Sequence, residues 1–199
     1  RENATILNAC LSTTSDSVVG AFKKAVEELN LGSALFLTQN DGTLMDADFA
    51  TKYPVYSISS GPTNSMRGAA FLTGIQNAIV ADVGGTSTDV GILRNGFPRE
   101  SSIAVEIGGI RTNFRMPDVL SIALGGGSVV NTSPITIGPE SVGLQLTQQS
   151  LLFGGSIRTA TDMAAAAGLV NIGNKTLLSE ISEEDIKSSL NMMNVMTCL

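Results

Sequence analysis

The residues best suited to chemistry lie in one short stretch, Ala78-Ile79-Val80-Ala81-Asp82-Val83-Gly84-Gly85-Thr86-Ser87-Thr88-Asp89-Val90-Gly91-Ile92-Leu93. Two glycines, Gly84 and Gly85, are followed by three hydroxyl residues, Thr86, Ser87 and Thr88, and the run is bracketed by Asp82 and Asp89. Without a Cβ, a glycine backbone can take positive φ and lets a ligand approach its N–H group closely. Consecutive N–H groups in such a turn form an anion-binding concavity. The hydroxyls add donors for phosphate oxygens. Asp82, leaving a strand at the turn, suits a magnesium ion that keeps most of its waters. The combination points to a grip for a triphosphate and its metal. The bland alternative is an ordinary hairpin with a turn rich in Gly, Thr and Asp. The stretch is not a P-loop, because the Gly-x4-Gly-Lys-Ser/Thr spacing is missing and a strand, not a helix, follows the turn.

Strands must hold this turn. Ile79, Val80 and Val83 before it, and Val90, Ile92 and Leu93 after it, are the β-branched or bulky residues that fill half-buried strands. Upstream, the spacing predicts a helix from Thr13 to Leu29, with Ser15 as cap and an apolar stripe of Val18, Val19, Phe22, Val26 and Leu29. Gly32 ends it. Ser33 to Thr38 reads as a strand, Gln39 to Gly42 as a turn, and Asp46 to Thr51 as a short helix that stops before Pro54. Val55 to Ile58 reads as a short strand, and Thr63 or Asn64 as the cap of a helix to about Leu72. Ser59-Ser60-Gly61-Pro62 is then either a plain strand-to-helix link or a helix start aimed at an anion.

Downstream, Asn95-Gly96 suits a tight turn between twisted strands. Strands are expected over Ser101 to Ile107 and Ile110 to Arg115, with a break at Gly108-Gly109. Arg94, Arg99, Arg111 and Arg115 read as solvated strand residues. In Gly125-Gly126-Gly127-Ser128 the glycines let a backbone pass against a flat or charged ligand. Such a run is otherwise a flexible loop, but apolar residues on both sides favour a fixed turn. Ile135 to Ile137 reads as a strand and Gly138-Pro139-Glu140-Ser141 as a turn. A helix is expected over Arg158 to Ala167, capped by Thr159 or Thr161, with Asp162 as a first-turn charge and Gly168 as the stop. The last helix opens at Ser182-Glu183-Glu184-Asp185, and its methionine-rich face reads as core or interface.

The 199 residues are enough for one domain or one large lobe, and 43% hydrophobic with 15% charged residues fits a folded chain. With 12 Lys and Arg against 18 Asp and Glu, a net charge of −6 and no basic stripe, nucleic acid is not an expected partner. Cys10 and Cys198 lie near the two ends and histidine is absent, so no metal-ligand spacing exists. A disulfide framework is not expected, which favours a reducing, cytoplasmic setting. No apolar run is long enough to span a bilayer. The chain opens on Arg1 without an initiating Met and reads as an excised segment of a longer polypeptide.

Asp82-Val83-Gly84-Gly85-Thr86-Ser87-Thr88-Asp89-Val90 closely resembles the second phosphate motif of the hydantoinase/oxoprolinase family, which belongs to the actin and sugar-kinase superfamily. Ser59-Ser60-Gly61-Pro62 is similar to that family's Ser-Gly-Pro turn. Gly125-Gly126-Gly127-Ser128 is similar to its triple-glycine turn, and Gly138-Pro139-Glu140-Ser141 to its Gly-Pro-Glu-Ser. The resemblance implies an α/β fold in which residues 1–199 form one actin-like (ribonuclease H-like) ATPase lobe. Such a lobe has a mixed sheet, an antiparallel phosphate-binding hairpin and flanking helices. It further implies an ATP-dependent amidohydrolase that opens a cyclic amide, such as a hydantoin or 5-oxoproline. ATP would phosphorylate the amide oxygen and water would attack the activated carbon.

Under that resemblance Asp82 holds Mg²⁺ through water, and Gly84, Gly85, Thr86, Ser87 and Thr88 bind the β- and γ-phosphates. Ser60 and Gly61 approach the nucleotide, while Gly125, Gly126, Gly127 and Ser128 line its nucleoside side. Asp89 either orients water or metal or caps the turn. Asp118 and the pair Thr161-Asp162 match further family residues. The implied partners are the cyclic amide, the remaining lobe of the same polypeptide and a second subunit. Two departures bear on substrate chemistry. Ser121 stands near the place of a histidine common in the family, and the Asp-Pro-Gly-Pro stretch after Gly-Pro-Glu-Ser is missing. Carboxylase relatives share the scaffold. The alternatives are a small-molecule kinase of the same superfamily and a non-catalytic nucleotide-binding or assembly domain.

Overall fold

The computed structural model describes residues 2–112 and 115–197. The chain is α/β and divides into two compact units, Arg1–Val80 with Val90–Val119, and Ala81–Asp89 with Leu120–Leu199.

In the first unit, α1 (Glu2–Glu28) precedes an antiparallel pair, β1 (Phe36–Thr38) and β2 (Leu44–Asp46), with Leu37 opposite Met45. Asp46 caps α2 (Ala47–Lys52), its carboxylate accepting the Phe49 N–H at 2.8 Å. Val19, Met45, Ala47 and Ala50 close a small core here, flanked by Leu35 and Leu37. Next comes α3 (Ser60–Thr73), followed by β3 (Ala78–Val83), β4 (Thr88–Arg94) and β5 (Phe97–Pro98) in the order β3-β4-β5. β6 (Glu106–Ile107) and β7 (Ile110–Arg111) form a hairpin, and β8 (Val119–Ile122) starts at the last residue of this unit and otherwise belongs to the second. Met66, Ala70 and Leu93 bury one cluster between α3 and β4, joined by Val80 and Val119. Gly91 is needed there, because a Cβ would lie 2.6 Å from Met66 Sδ.

The second unit takes the tip of the β3–β4 hairpin, Ala81–Asp89. It also holds the antiparallel pair β9 (Ser128–Thr132) and β10 (Ile135–Ser141), then α4 (Leu146–Gln149), α5 (Ala160–Ala166) and α6 (Glu183–Thr197). Its core comprises Leu124, Val130, Ile137, Leu152, Met163, Ala165, Leu178 and Ile181. Leu152 and Met163 are fully buried.

Several elements depart from the sequence expectation for local reasons. Helix α1 begins at Glu2, so Ser15 is interior to it and donates to the Ala50 carbonyl at 3.2 Å instead of capping. Of the predicted stripe only Val19 is buried, and Phe22 and Leu29 are exposed. Pro54, with φ fixed and no N–H, starts a 3₁₀ turn over Pro54–Ser57 where a strand was expected. Helix α3 starts at Ser60 after Ser59 at φ 60°, ahead of the expected Thr63 or Asn64 cap. Thr63 is fully buried, donating to the Asn40 and Ser59 carbonyls. Within the expected strands at Ser101–Ile107 and Ile110–Arg115, only β6 and β7 are regular. Asn113 and Phe114 lie outside the described residues, as does Cys198. Cys10 is a free, exposed thiol. Among the described residues no helix is long and apolar enough to cross a membrane.

Leu152→Ala is expected to lower stability by about 2–5 kcal/mol, the range for emptying a closed apolar site. Urea denaturation of the protein measures it, and a loss below about 1 kcal/mol would show that this core collapses around the gap.

Candidate functional site

The hairpin tip is built by backbone contacts. Gly84 donates its amide to the Ser87 carbonyl at 2.9 Å, which sets these residues opposite each other across the turn. The Gly84 carbonyl accepts the Gly126 amide at 3.0 Å, and the Gly85 carbonyl accepts the Gly127 amide at 2.7 Å. Ser141 Oγ also donates to the Gly85 carbonyl, at 3.3 Å. In a trans peptide the N–H points opposite to the C=O of the same unit. Anchoring the Gly84 and Gly85 carbonyls on the glycine turn therefore aims the Gly85 and Thr86 N–H groups away from it. The amides of Gly85, Thr86 and Ser87 have no acceptor among the described residues, and neither hydroxyl of Thr86 and Ser87 has a partner there. Three successive open amides with two free hydroxyls form the donor set of an anion nest.

The three glycines act differently from the sequence expectation. The Gly125 amide goes to Ser128 Oγ at 2.9 Å, and the Ser128 amide to the Gly125 carbonyl at 3.0 Å. The Gly126 carbonyl accepts the Thr161 amide at 2.9 Å and its hydroxyl at 2.8 Å, and the Gly127 carbonyl accepts the Val142 amide at 2.9 Å. Every amide and carbonyl of Gly125, Gly126 and Gly127 is thus engaged inside the protein. What their missing side chains clear is protein: a Cβ on Gly125 would stand 2.6 Å from Gly85 C and Thr86 N. Ser128 is fully buried in this turn. Thr88 is also buried, donating to the Leu124 carbonyl at 2.6 Å, so its hydroxyl braces the hairpin. Gly84 and Gly85 do not take the positive φ that the sequence suggested. Gly85 instead has nothing within 4 Å of a Cβ, which leaves its face open.

Two carboxylates flank the nest. Counting two residues outward from the Gly84–Ser87 bond places Asp82 opposite Asp89 on adjacent strands, on one face of the hairpin. Both are half-buried. The Asp82 carboxylate has no hydrogen-bond or ion-pair partner among the described residues, while that of Asp89 accepts from the Ser121 hydroxyl. No cluster of three metal-ligating side chains occurs among the described residues. A magnesium ion does not need one, since it is commonly held by one or two carboxylates, with waters and phosphate oxygens completing its octahedron. The donor set fits that mode. Ser60 and Gly61 lie in the first unit, at the start of α3. Asp118 is also there, paired with Arg99.

A family model for hydantoinase/oxoprolinase matches residues 1–193. The chain belongs to the hydantoinase/oxoprolinase family. Among curated members, it is 25% identical over 178 residues to the acetophenone carboxylase gamma subunit of Aromatoleum aromaticum, covering 86% of this chain and 24% of that protein. It is 27% identical over 182 residues to the caprolactamase subunit alpha of Pseudomonas jessenii, covering 87% of this chain and 26% of the relative. The chain thus spans about a quarter of the length of these relatives. Its fold matches part of the ATP-dependent caprolactamase of Pseudomonas jessenii with a TM-score of 0.68 at 23% identity, over 98% of this chain and 32% of that one. It likewise matches nucleotide-free acetone carboxylase with a TM-score of 0.67 at 20% identity, over 95% of this chain and 28% of that one.

Three contributors to this candidate site carried only a faint sequence signal. Ser141 and Thr161 stand in stretches similar to family motifs, yet nothing in their spacing says that they hold turn carbonyls. Asp162 reads as a plain first-turn charge but is fully buried, accepting from Ser150 Oγ, the Leu152 amide, and the amide and hydroxyl of Thr159 at 2.7–2.8 Å. Asp162→Ala should cost roughly 3–5 kcal/mol in urea denaturation by orphaning these buried donors. Gly125→Ala is expected to cost about 1–3 kcal/mol through its backbone clash. Gly85→Ala should stay within about 0.5 kcal/mol of wild type. Equal losses for the two glycine variants would refute the packing role given to Gly125.

Proposed function

We propose that this chain supplies the phosphate grip of an ATP-dependent enzyme that opens a cyclic amide of the hydantoin or 5-oxoproline type. It would form one actin-like lobe of a longer polypeptide that works with a second subunit. The observation that carries the reading is the open nest of Gly85, Thr86 and Ser87 beside the unpartnered Asp82 carboxylate. Bound Mg-ATP would supply the phosphoryl group that turns the amide oxygen into a leaving group. The amides of Gly85, Thr86 and Ser87, with the Thr86 and Ser87 hydroxyls, would hold the β- and γ-phosphates in line for transfer. Asp82 would hold Mg²⁺ through a water. Asp89, oriented by Ser121, would place a water or the metal. Gly84, Gly125, Gly126, Gly127, Thr88 and Ser128 position the nest from behind. Ser60 and Gly61 enter only as residues that the family motif implicates.

The relatives support this reading and one competitor. The Pseudomonas jessenii relative is an ATP-dependent caprolactamase, while the acetophenone and acetone enzymes are carboxylases. ATP-driven carboxylation of a ketone is therefore the second reading, and the same nest would serve it.

Calorimetry on the full-length protein should show Mg-ATP binding that Asp82→Ala weakens at least about tenfold, the effect of losing one charge-assisted contact. Chelating Mg²⁺ should abolish it. Product analysis then separates the reactions: ring-opened product with free phosphate is expected, a carboxylated product would favour the competitor, and a stable phosphorylated substrate would indicate a kinase. Unchanged Mg-ATP affinity in Asp82→Ala would defeat the metal assignment.

A further inference from the structure

We infer that Ser141 is a positioning residue for the nest: its hydroxyl fixes and polarises the Gly85–Thr86 peptide, so that the Thr86 amide is presented to a phosphate oxygen. The inference rests on the nucleotide reading above and deepens it. Ser141 reaches the hairpin because β10 is irregular. Ile137 pairs with Val130 and Ser141 with Ser128, so four residue steps on β10 span two on β9. Such bulges re-aim side chains, and many lie beside active sites. Gly138 makes this one possible, with φ at 60° and a would-be Cβ only 2.7 Å from the Ala123 carbonyl.

The hydroxyl has one orientation that satisfies all its neighbours. Its oxygen accepts the Gly143 amide at 3.1 Å, which leaves its proton for the Gly85 carbonyl at 3.3 Å. That carbonyl already takes the Gly127 amide at 2.7 Å, so it carries two donors. Donors on a carbonyl polarise the whole peptide unit and make its N–H a stronger donor in turn. The N–H of that unit is the Thr86 amide, which has no acceptor within the described residues. Ser141 touches no part of the ligand in this scheme. It acts through Thr86.

The test uses full-length protein labelled with ¹⁵N-threonine, as wild type, Ser141→Ala and Ser141→Thr. In Ser141→Ala the Thr86 amide proton should move upfield, and in Ser141→Thr, which keeps the donor, it should stay near its wild-type position. The KM for ATP should rise about 5- to 10-fold in Ser141→Ala, as expected for one weakened hydrogen bond, with kcat changed less than about twofold. Ser141→Thr should restore the KM. Should Ser141→Ala fail to fold, Ser141→Cys, a near-isosteric weak donor, takes its place with the same expected direction. An unmoved Thr86 resonance overturns the inference whatever the nucleotide data show. A shifted resonance in a wild type that ignores ATP would leave the clamp standing and remove the nucleotide reading instead. Equal damage to KM and kcat in both the Ala and Thr variants would mark Ser141 as merely structural.

Discussion

Two backbone carbonyls, those of Gly84 and Gly85, are tied down on the amides of Gly126 and Gly127, and the organisation of the site stems from that contact. A two-residue hairpin turn ordinarily closes with bonds in both directions across its mouth. Here only the Gly84 amide bonds across, to Ser87, and the Gly84 carbonyl is given to another segment. The exchange keeps the carbonyls satisfied while the opposite side of the same peptides stays unpaired. An exposed amide can use water as its partner, so the arrangement is tolerated at the surface. It also leaves the amides ready for an anion without any rearrangement.

Backbone this close to backbone admits no side chain, which explains the run of three glycines better than flexibility does. The turn they form is rigid by its bonding. Ser128 closes it from one end, Thr161 and Val142 hold its carbonyls, and Leu124 and Val130 anchor it in the apolar core on either side. Asp162 extends the same support by fastening α5 to the Ser150–Leu152 segment. A buried carboxylate with four donors holds geometry well, because losing any one donor is costly. The nest is therefore backed by a chain of contacts that ends in the core of its own unit.

Much of this was legible in the residues. Ile79, Val80 and Val83 with Val90, Ile92 and Leu93 around Gly84-Gly85 mark the hairpin, and of the two caps that the sequence offers for α5, Thr159 and Thr161, it is Thr159 that caps, boxed with Asp162. The features that escaped reading depend on partners distant in sequence. A first-turn aspartate looks the same whether water or four buried donors surround it. Triple glycine looks the same whether a ligand or another turn lies against it. Gly138-Pro139 suggests the end of a strand, yet β10 resumes its pairing at Ser141 because Ser128 is there to meet it. At Pro54 the miss was local, since Val55 and Tyr56 suit a strand by residue type yet sit in the 3₁₀ turn that the proline starts.

The charges near the nest bear on what it can hold. Residues 78–93 contain no Lys or Arg, and Asp82 and Asp89 face each other across the hairpin. Open amides attract an anion, but a polyphosphate brought alone would meet two carboxylates in a chain of net charge −6. Coulomb repulsion near a protein surface is of the order of several kcal/mol for close like charges, more than a few neutral hydrogen bonds return. A divalent cation reverses the balance, because it draws the carboxylates and the phosphate oxygens to the same point. Under the proposed function, amides without basic side chains, set beside two aspartates, would favour a phosphate that arrives with its metal over one that arrives bare.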